Sequence, residues 1–513
     1  MRDQVAGNEV ERQLFFENKV SSYNALTDLF VRQGKPLDAL LYAERAKGRV
    51  LLDVLSGGRS DVVKYLTPAE KAETQRLNRK VSEVNDRIKT VQAADSSLDS
   101  LYRQLDAARL EYQSFQDSLY VAHPNLRAWT GRTVTLTNAN INELMLDREC
   151  AYLEYVVSKE QIYLFVLTTK GGANGPELKA YPLAIKPPDL SRQVTQFRQR
   201  LSDRHPDFAN VARELYGALI EPVSKQLRGT STICIIPDGF LWNLPFQALM
   251  TRANHYLIED YALHYVPSLS VLHEMSTEKG EKQKGAPSLI AFGNPVIARD
   301  EQRNEESCPL PEAETEVTAI AKTFGPDGSR TFIGRGASEK TFKALASTYA
   351  TIHLATHAVL DNRQPLYSHL LLTKTDGDPE NDGLLEAREI MNLKLNADLA
   401  VLSACETANG KIAPGEGVIG MSWAFFVAGA RSMLVSQWKV NSASTAQLML
   451  NFYQALESKQ TTQGGRKAKS LQKATLRLMK DGRYRHPFYW AGFVLIGSES
   501  HSPGSQAVAR LPI

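Results

Sequence analysis

The residues best suited to covalent chemistry are Cys405 and His357. In AVLSACETANG (Ala400 to Gly410) an apolar run meets a cysteine and the chain then turns polar. TIHLATH does the same and ends on His357. In an open α/β sheet, functional groups collect at the carboxyl ends of the strands. Two parallel neighbouring strands with these tips would bring sulfur and imidazole onto one rim. A thiolate there attacks a carbonyl, and the imidazole takes up a proton and later donates it. A nearby imidazole also lowers a thiol pKa below its free value of about 8.5. The Cys405 amide and an amide near Ala358 are the candidate oxyanion donors. Losing one such donor typically costs ~10²–10³ in turnover. The competing reading makes Cys405 a small apolar side chain that ends a buried strand.

Other chemistries fit the residues less well. His353 and His357 would lie roughly 13 Å apart on a strand, at about 3.3 Å per residue. That is too far for one metal ion, and no HExxH is present. GEGVIG (Gly415 to Gly420) lacks the Lys-Ser/Thr of a phosphate loop, and its glycines suit a tight turn. No metal and no cofactor is expected. The basic run Arg466 to Lys480 reads as a helix with Leu471, Leu476 and Met479 turned inward. Its charges form a solvated face, so no direct nucleic-acid contact is expected.

The elements that must position the pair follow from hydrophobic patterning. From about residue 134, short apolar runs alternate with helical stretches: CAYLEYVVS, IYLFVLTT, TICIIP, SLIAFGN, TIHLATH, HLLLT, DLAVLSA, SMLVSQW and FVLIG. Runs without strict alternation, separated by helices, predict strands covered on both faces in a largely parallel sheet. A polar linker, Thr277 to Pro287, divides this region into a smaller and a larger half, 134–276 and 285–498. Glu457 to Lys467 reads as a surface loop, and 499–513 as a disordered tail. Upstream, residues 1–66 are helical, and Leu26, Phe30, Gly34, Ala39 and Ala46 follow the spacing of one tetratricopeptide (TPR) unit. A single unit must stack on another part of the chain or on a partner. Residues 67–125 carry two heptad stripes, Leu77 to Val91 and Leu98 to Leu119, which predict an antiparallel helical hairpin acting as an arm or brace.

Bulk properties narrow the class. The chain has 513 residues and a net charge of +3. That length suggests several domains, and the charge gives no case for a nucleic-acid or membrane partner. Four scattered cysteines and a polar N-terminus predict a reducing, cytoplasmic setting.

Several motifs in order resemble a known family. HLATHAVLDNRQPLYSHLLL, LAVLSACETANG, GEGVIGMSWAFFVAGARSMLVSQWKV, FYWAGFVLIG, IIPDGFLWNLPFQAL, AFGNP and LPEAETEVTAIA together look like a CHAT domain, a relative of caspases and separases that usually follows TPR arrays. His357 precedes Cys405 by 48 residues, close to the caspase spacing of about 50. The resemblance implies a caspase–hemoglobinase-like, mostly parallel sheet flanked by helices. Residues 134–276 would be the pseudo-protease half and 285–498 the active half. It implies a cysteine endopeptidase with His357 and Cys405 as its catalytic pair, acting on a protein substrate. Ser403 matches a position lining the S1 pocket in relatives, where several carry aspartate. Trp438 and Lys439 match a rim that holds the peptide as an added strand. Asn441 and Ser442 stand where many relatives are acidic. The family serves bacterial defence and programmed responses. That implies latency until a regulatory protein or ribonucleoprotein acts on the helical region. The other reading is a catalytically inactive TPR-CHAT scaffold.

Overall fold

The computed structural model describes residues 9–47, 67–90, 97–122, 136–145, 149–169, 176–277, 288–297, 309–361, 364–403, 411–413, 417–419, 421–458 and 465–499. The strands, in chain order, are β1 (Cys150–Val157), β2 (Ile162–Thr168), β3 (Glu177–Pro182), β4 (Thr232–Ile236), β5 (Ala262–Tyr265), β6 (Leu289–Pro295), β7 (Ser329–Gly334), β8 (Thr351–Ala355), β9 (Ala358–Val359), β10 (His369–Leu371), β11 (Leu384–Glu386), β12 (Leu399–Leu402), β13 (Lys411–Ala413), β14 (Gly417–Ile419), β15 (Ser432–Ser436) and β16 (Phe493–Gly497). Eleven of them form one sheet in the order β3-β2-β1-β4-β5-β16-β15-β12-β8-β6-β7. Pairing is parallel except at β3–β2, β2–β1 and β15–β16. Every residue of β4, β12, β15 and β16 is buried. Helices cover both faces, which is why these strands read as unbroken apolar runs.

The two halves share this sheet. β16, the last strand of the larger half, lies between β15 of that half and β5 of the smaller one, with Ile496 opposite Tyr265. One hydrophobic core runs from Ala151 to Ile496. The helix Pro311–Phe324 lies on β6 because residue 293 is glycine. A Cβ there would stand 2.7 Å from Val317 Cγ2 and 2.8 Å from the Ala313 carbonyl oxygen. Close backbone approach of this kind is a standard reason for glycine in a strand.

The N-terminal helices α1 (Glu9–Arg32) and α2 (Pro36–Glu44) form the TPR-like pair, turning at Gly34 with φ +69°. They stack on the chain itself. Ala39, Leu40 and Ala43 enter a second core with Tyr152, Phe165, Ile236 and Leu269. Buried charges fasten the contact. Glu44 accepts from the Leu269 and Ser270 amides, both at 2.8 Å, at the start of the helix Leu269–Thr277. Lys47 Nζ lies 3.1 Å from Glu154 Oε1 and donates to the Tyr155 carbonyl at 2.5 Å.

The predicted hairpin is α3 (Pro68–Thr90) and α4 (Leu98–Ala122). Thr67 and Glu70 cap its first helix reciprocally, at 2.7 and 3.2 Å. Leu77, Val81, Val84 and Ile88 are buried, as are Leu101, Leu105, Ala108, Tyr112 and Leu119. The heptad reading therefore describes the real seam. The hairpin lies on the larger half, where Leu366 and Tyr367 join its core.

One expectation needs correcting. The helix expected over Arg466 to Lys480 is present as Arg466–Met479, so the surface loop read as Glu457 to Lys467 stops short of Arg466, and the helix's charges do not all face solvent. Lys467 is buried, with its ammonium 3.0 Å from Asp398 Oδ1 and from the Asp398 carbonyl oxygen. A loop-like composition concealed it because a lysine is buried only when a partner elsewhere in the chain meets its charge. Leu471 and Leu478 are the large apolar residues fully buried on that helix, while Leu476 and Met479 are half-buried. Glu457, the first residue of the expected loop, ends the helix Ser442–Glu457, and Glu499, the first of the expected tail, accepts from the Lys467 and Ala468 amides at 2.9 and 2.7 Å. The tract 459–464, the linker stretch 278–287 and 500–513 lie outside the described residues.

Candidate functional site

β8 and β12 are parallel neighbours in register: Leu354 stands opposite Leu402, and the Ser403 amide donates to the Leu354 carbonyl at 2.9 Å. His357 stands three residues beyond Leu354, half-buried at the carboxyl edge of the sheet. Its carbonyl accepts from the Leu371 amide at 2.9 Å, and Thr356 Oγ1 donates to the Leu371 carbonyl. Ala358 and Val359 then pair with Leu370 and His369 in a small sheet, β11-β10-β9. The main chain on either side of the imidazole is thus fixed by β10. Cys405 lies outside the described residues, and the chain is described up to Ser403 and again from Lys411. In sequence, Cys405 stands three positions beyond Leu402, as His357 stands three beyond Leu354.

Ser403 is half-buried, and its hydroxyl oxygen is shielded from solvent with no hydrogen-bond partner among the described residues. Trp438 lies under the rim rather than on it. Its ring is 3% exposed, its indole N–H donates to the Phe488 carbonyl at 3.2 Å, and it packs against Gly492. Lys439 is the exposed member of the pair. The segment before them is held from the smaller half. Arg198 donates to the Gln437 carbonyl at 2.6 Å and to Asn243 Oδ1 at 2.8 Å, and Gln437 Nε2 donates to the Trp242 carbonyl at 2.9 Å.

His353 occupies the core instead of the rim. Its Nδ1 is 3.2 Å from the Tyr453 hydroxyl, and its Nε2 is 2.9 Å from Glu316 Oε1, close enough for an ion pair but off-line for a hydrogen bond. Among the described residues no three His, Cys, Asp or Glu side chains are grouped as metal ligands.

Behind β10 lies a buried charged layer. Arg388 Nη2 is 2.5 Å from Glu386 Oε2. Burial pushes the Glu386 carboxyl up to about 7, with Arg388 pulling the other way. Burial, and then Glu389, push Glu339 up to about 8 even though Lys343 lies 2.6 Å away. No sequence pattern marks Arg198, Tyr367, Arg388 or Glu386. Their partners lie up to hundreds of positions away, and each residue alone reads as an ordinary polar or aromatic side chain.

Comparison with known proteins places the family. The CHAT-domain family model matches residues 209–498. That is more than half of the chain, and the chain belongs to the CHAT-domain family. The match begins later than the module limit of about 134 expected from the motifs. Among curated proteins the chain is similar to Tetratricopeptide repeat protein 28 of Homo sapiens, 26% identical over 345 residues. The match covers 57% of this chain and 13% of that protein, so the chain spans about an eighth of its curated relative's length. Among solved structures it is similar to the Saccharomyces cerevisiae separase–securin complex, with a TM-score of 0.47 and 11% identity over 96% of this chain and 41% of that one. It is also similar to the complex of Porphyromonas gingivalis RgpB pro- and mature domains, with a TM-score of 0.38 and 10% identity over 60% and 75%. Among the described residues no helix is long and apolar enough to cross a membrane.

Proposed function

We propose that this chain is a cysteine endopeptidase with Cys405 as nucleophile and His357 as general base. The observation that carries the reading is the parallel register of β8 and β12, Leu354 opposite Leu402, with each reactive residue three positions further on. Equal offsets from paired residues on parallel strands favour side chains that emerge on one edge. In the reaction the Cys405 sulfur bonds to the scissile carbonyl carbon, the C–N bond breaks, and the imidazolium of His357 protonates the departing amine. Water, deprotonated by the same imidazole, then hydrolyses the thioester and restores the thiol. The Ala358 amide suits an oxyanion donor. The ladder bond from Leu371 to the His357 carbonyl makes Ala358–Leu370 a pair that exchanges no hydrogen bond, so this amide turns away from β10. The Cys405 amide would be the second donor. Ser403 would line the P1 pocket, and Lys439 would lie along the strand of bound substrate.

The substrate is a protein, and activity is held latent until a regulatory protein or ribonucleoprotein acts on the helical region. Two docked helical units, α1–α2 and α3–α4, support that part of the reading. The second reading, an inactive scaffold, draws on the curated relative, which is named for its repeats.

Two measurements test the proposal. N-terminal proteomics of cells carrying the wild type or Cys405→Ala should show new protein termini that vanish in the variant. Iodoacetamide should label Cys405 below the pH at which an ordinary thiol reacts. Identical termini in both cells, together with an unreactive Cys405, would leave the scaffold reading standing.

A further inference from the structure

The hairpin α3–α4 rests on Asp361 and on residues 364–388, the stretch that leaves His357. Arg109 of α4 places its guanidinium carbon 4.1 Å from the ring centroid of Tyr367. The same side chain donates to Gln364 Oε1 at 3.4 Å and stands 3.6 Å from Asp361 Oδ2. Arg388 is a second cation beside that ring, at 5.5 Å, and it lies 5.3 Å from the Tyr112 ring of α4 and bonds to Asn78 of α3. Tyr367 stands two residues before β10. Lys374 stands three residues after it and donates to Asp86 of α3 at 2.7 Å. The strand that fixes the His357 main chain is therefore held at both ends by the hairpin.

We infer that the hairpin α3–α4 positions His357 through β10, with Arg109–Tyr367 and Asp86–Lys374 as the two joints. Its meaning for catalysis rests on the peptidase reading. The chemistry of the joints suits adjustment. A cation stacked on a ring and a half-exposed ion pair are both weak contacts. A macromolecule that grips the hairpin can shift such contacts, whereas it cannot break the sheet. Arg109, Tyr367, Asp86 and Lys374 are positioning residues, since each acts on His357 only through β10.

The test is amide hydrogen exchange over residues 357–371 in the full chain. Arg109→Ala and Tyr367→Leu should raise exchange at Leu371 and in β9 by about two- to thirtyfold, and Asp86→Asn by up to about fivefold. Tyr367→Phe keeps the ring and should exchange as the wild type does. Lys340→Ala, which removes an exposed pair with Asp378 on the same half, should leave the region unchanged. Unaltered exchange in folded Arg109→Ala and Asp86→Asn proteins would overturn the inference. Should Arg109→Ala unfold the hairpin, Asp86→Asn alone decides. Cys405 alkylation is followed across pH in the same variants. Its profile should move toward that of a free thiol wherever exchange rises. Ordinary alkylation in the wild type would sink the peptidase reading, while exchange would still judge the positioning.

Discussion

His353 lies within β8 and His357 two residues beyond its end, and the two have different fates. His357 reaches the sheet edge, and His353 is sealed between Glu316 and Tyr453. On the peptidase reading the edge residue is the one that exchanges protons with a substrate. His357→Ala should therefore raise the Cys405 thiol toward the free value of about 8.5 and cut turnover by about 10²–10⁴, the usual scale of general acid–base catalysis. Alkylation rates across pH and peptide cleavage assays check the two numbers. His353 invites a different expectation, because His353→Leu leaves the buried Tyr453 hydroxyl without its ring partner. Loss of stability by about 1–3 kcal/mol is the usual outcome, read by denaturant titration, with no change in the alkylation profile of Cys405. Gly293 shows the same principle in main-chain form. Its place in AFGNP is explained by the helix Pro311–Phe324 lying on β6, not by chemistry.

At the scale of elements, both helical units are docked by charge as well as by apolar area. Glu44 caps the helix Leu269–Thr277, which leaves the smaller half, and Lys47 reaches the inner carboxylate Glu154. Burial drives the Glu154 carboxyl upward, against the pull of Lys47. Glu44→Ala leaves two helix-start amides without a partner and should cost about 1–3 kcal/mol. Limited proteolysis should then cut α1–α2 before the sheet domain. The element reading from sequence was good where patterning is local. The heptad stripes gave the seam of α3–α4, and all nine apolar runs became strands. Within the main sheet it failed at β3, β5 and β7. β3 and β7 stand at the two sheet edges and carry half-buried, mixed residues, and β5 has only four residues. Edge and very short strands carry the weakest hydrophobic signal.

Across the whole molecule, the sheet joins both halves, so they should unfold together. Gly497, at φ +109°, closes the β15–β16 pairing beside β5, and a Cβ there would stand 2.4 Å from the Arg431 carbonyl oxygen. Gly497→Ala should lower the melting temperature of both halves in one transition, measured by calorimetry. Global stability should also fall as pH rises. Glu386 and Glu339 titrate at about 7 and about 8 in the folded chain, against 4.5 when unfolded. Between those limits the native state holds protons that the unfolded state has released. Their contribution is complete below about 4.5 and is lost as pH climbs through 7 and 8. Thermal melts from pH 5 to 8.5 should show the decline, and Glu339→Gln should flatten it.

The amino-acid order alone determined the class of architecture, the strands β8 and β12 that precede His357 and Cys405 in the chain, and the hairpin's buried stripes. These are local properties, since periodicity and apolar run length are written in consecutive residues. Tertiary structure decided that β8 and β12 are neighbours in register, that β16 stitches the two halves together, that Trp438 lies beneath the surface, and that Lys467 is an interior cation. It also decided that Arg109 meets Tyr367. Each of these depends on which distant segments share a boundary, and pairing across that distance is set by the packing of the whole chain.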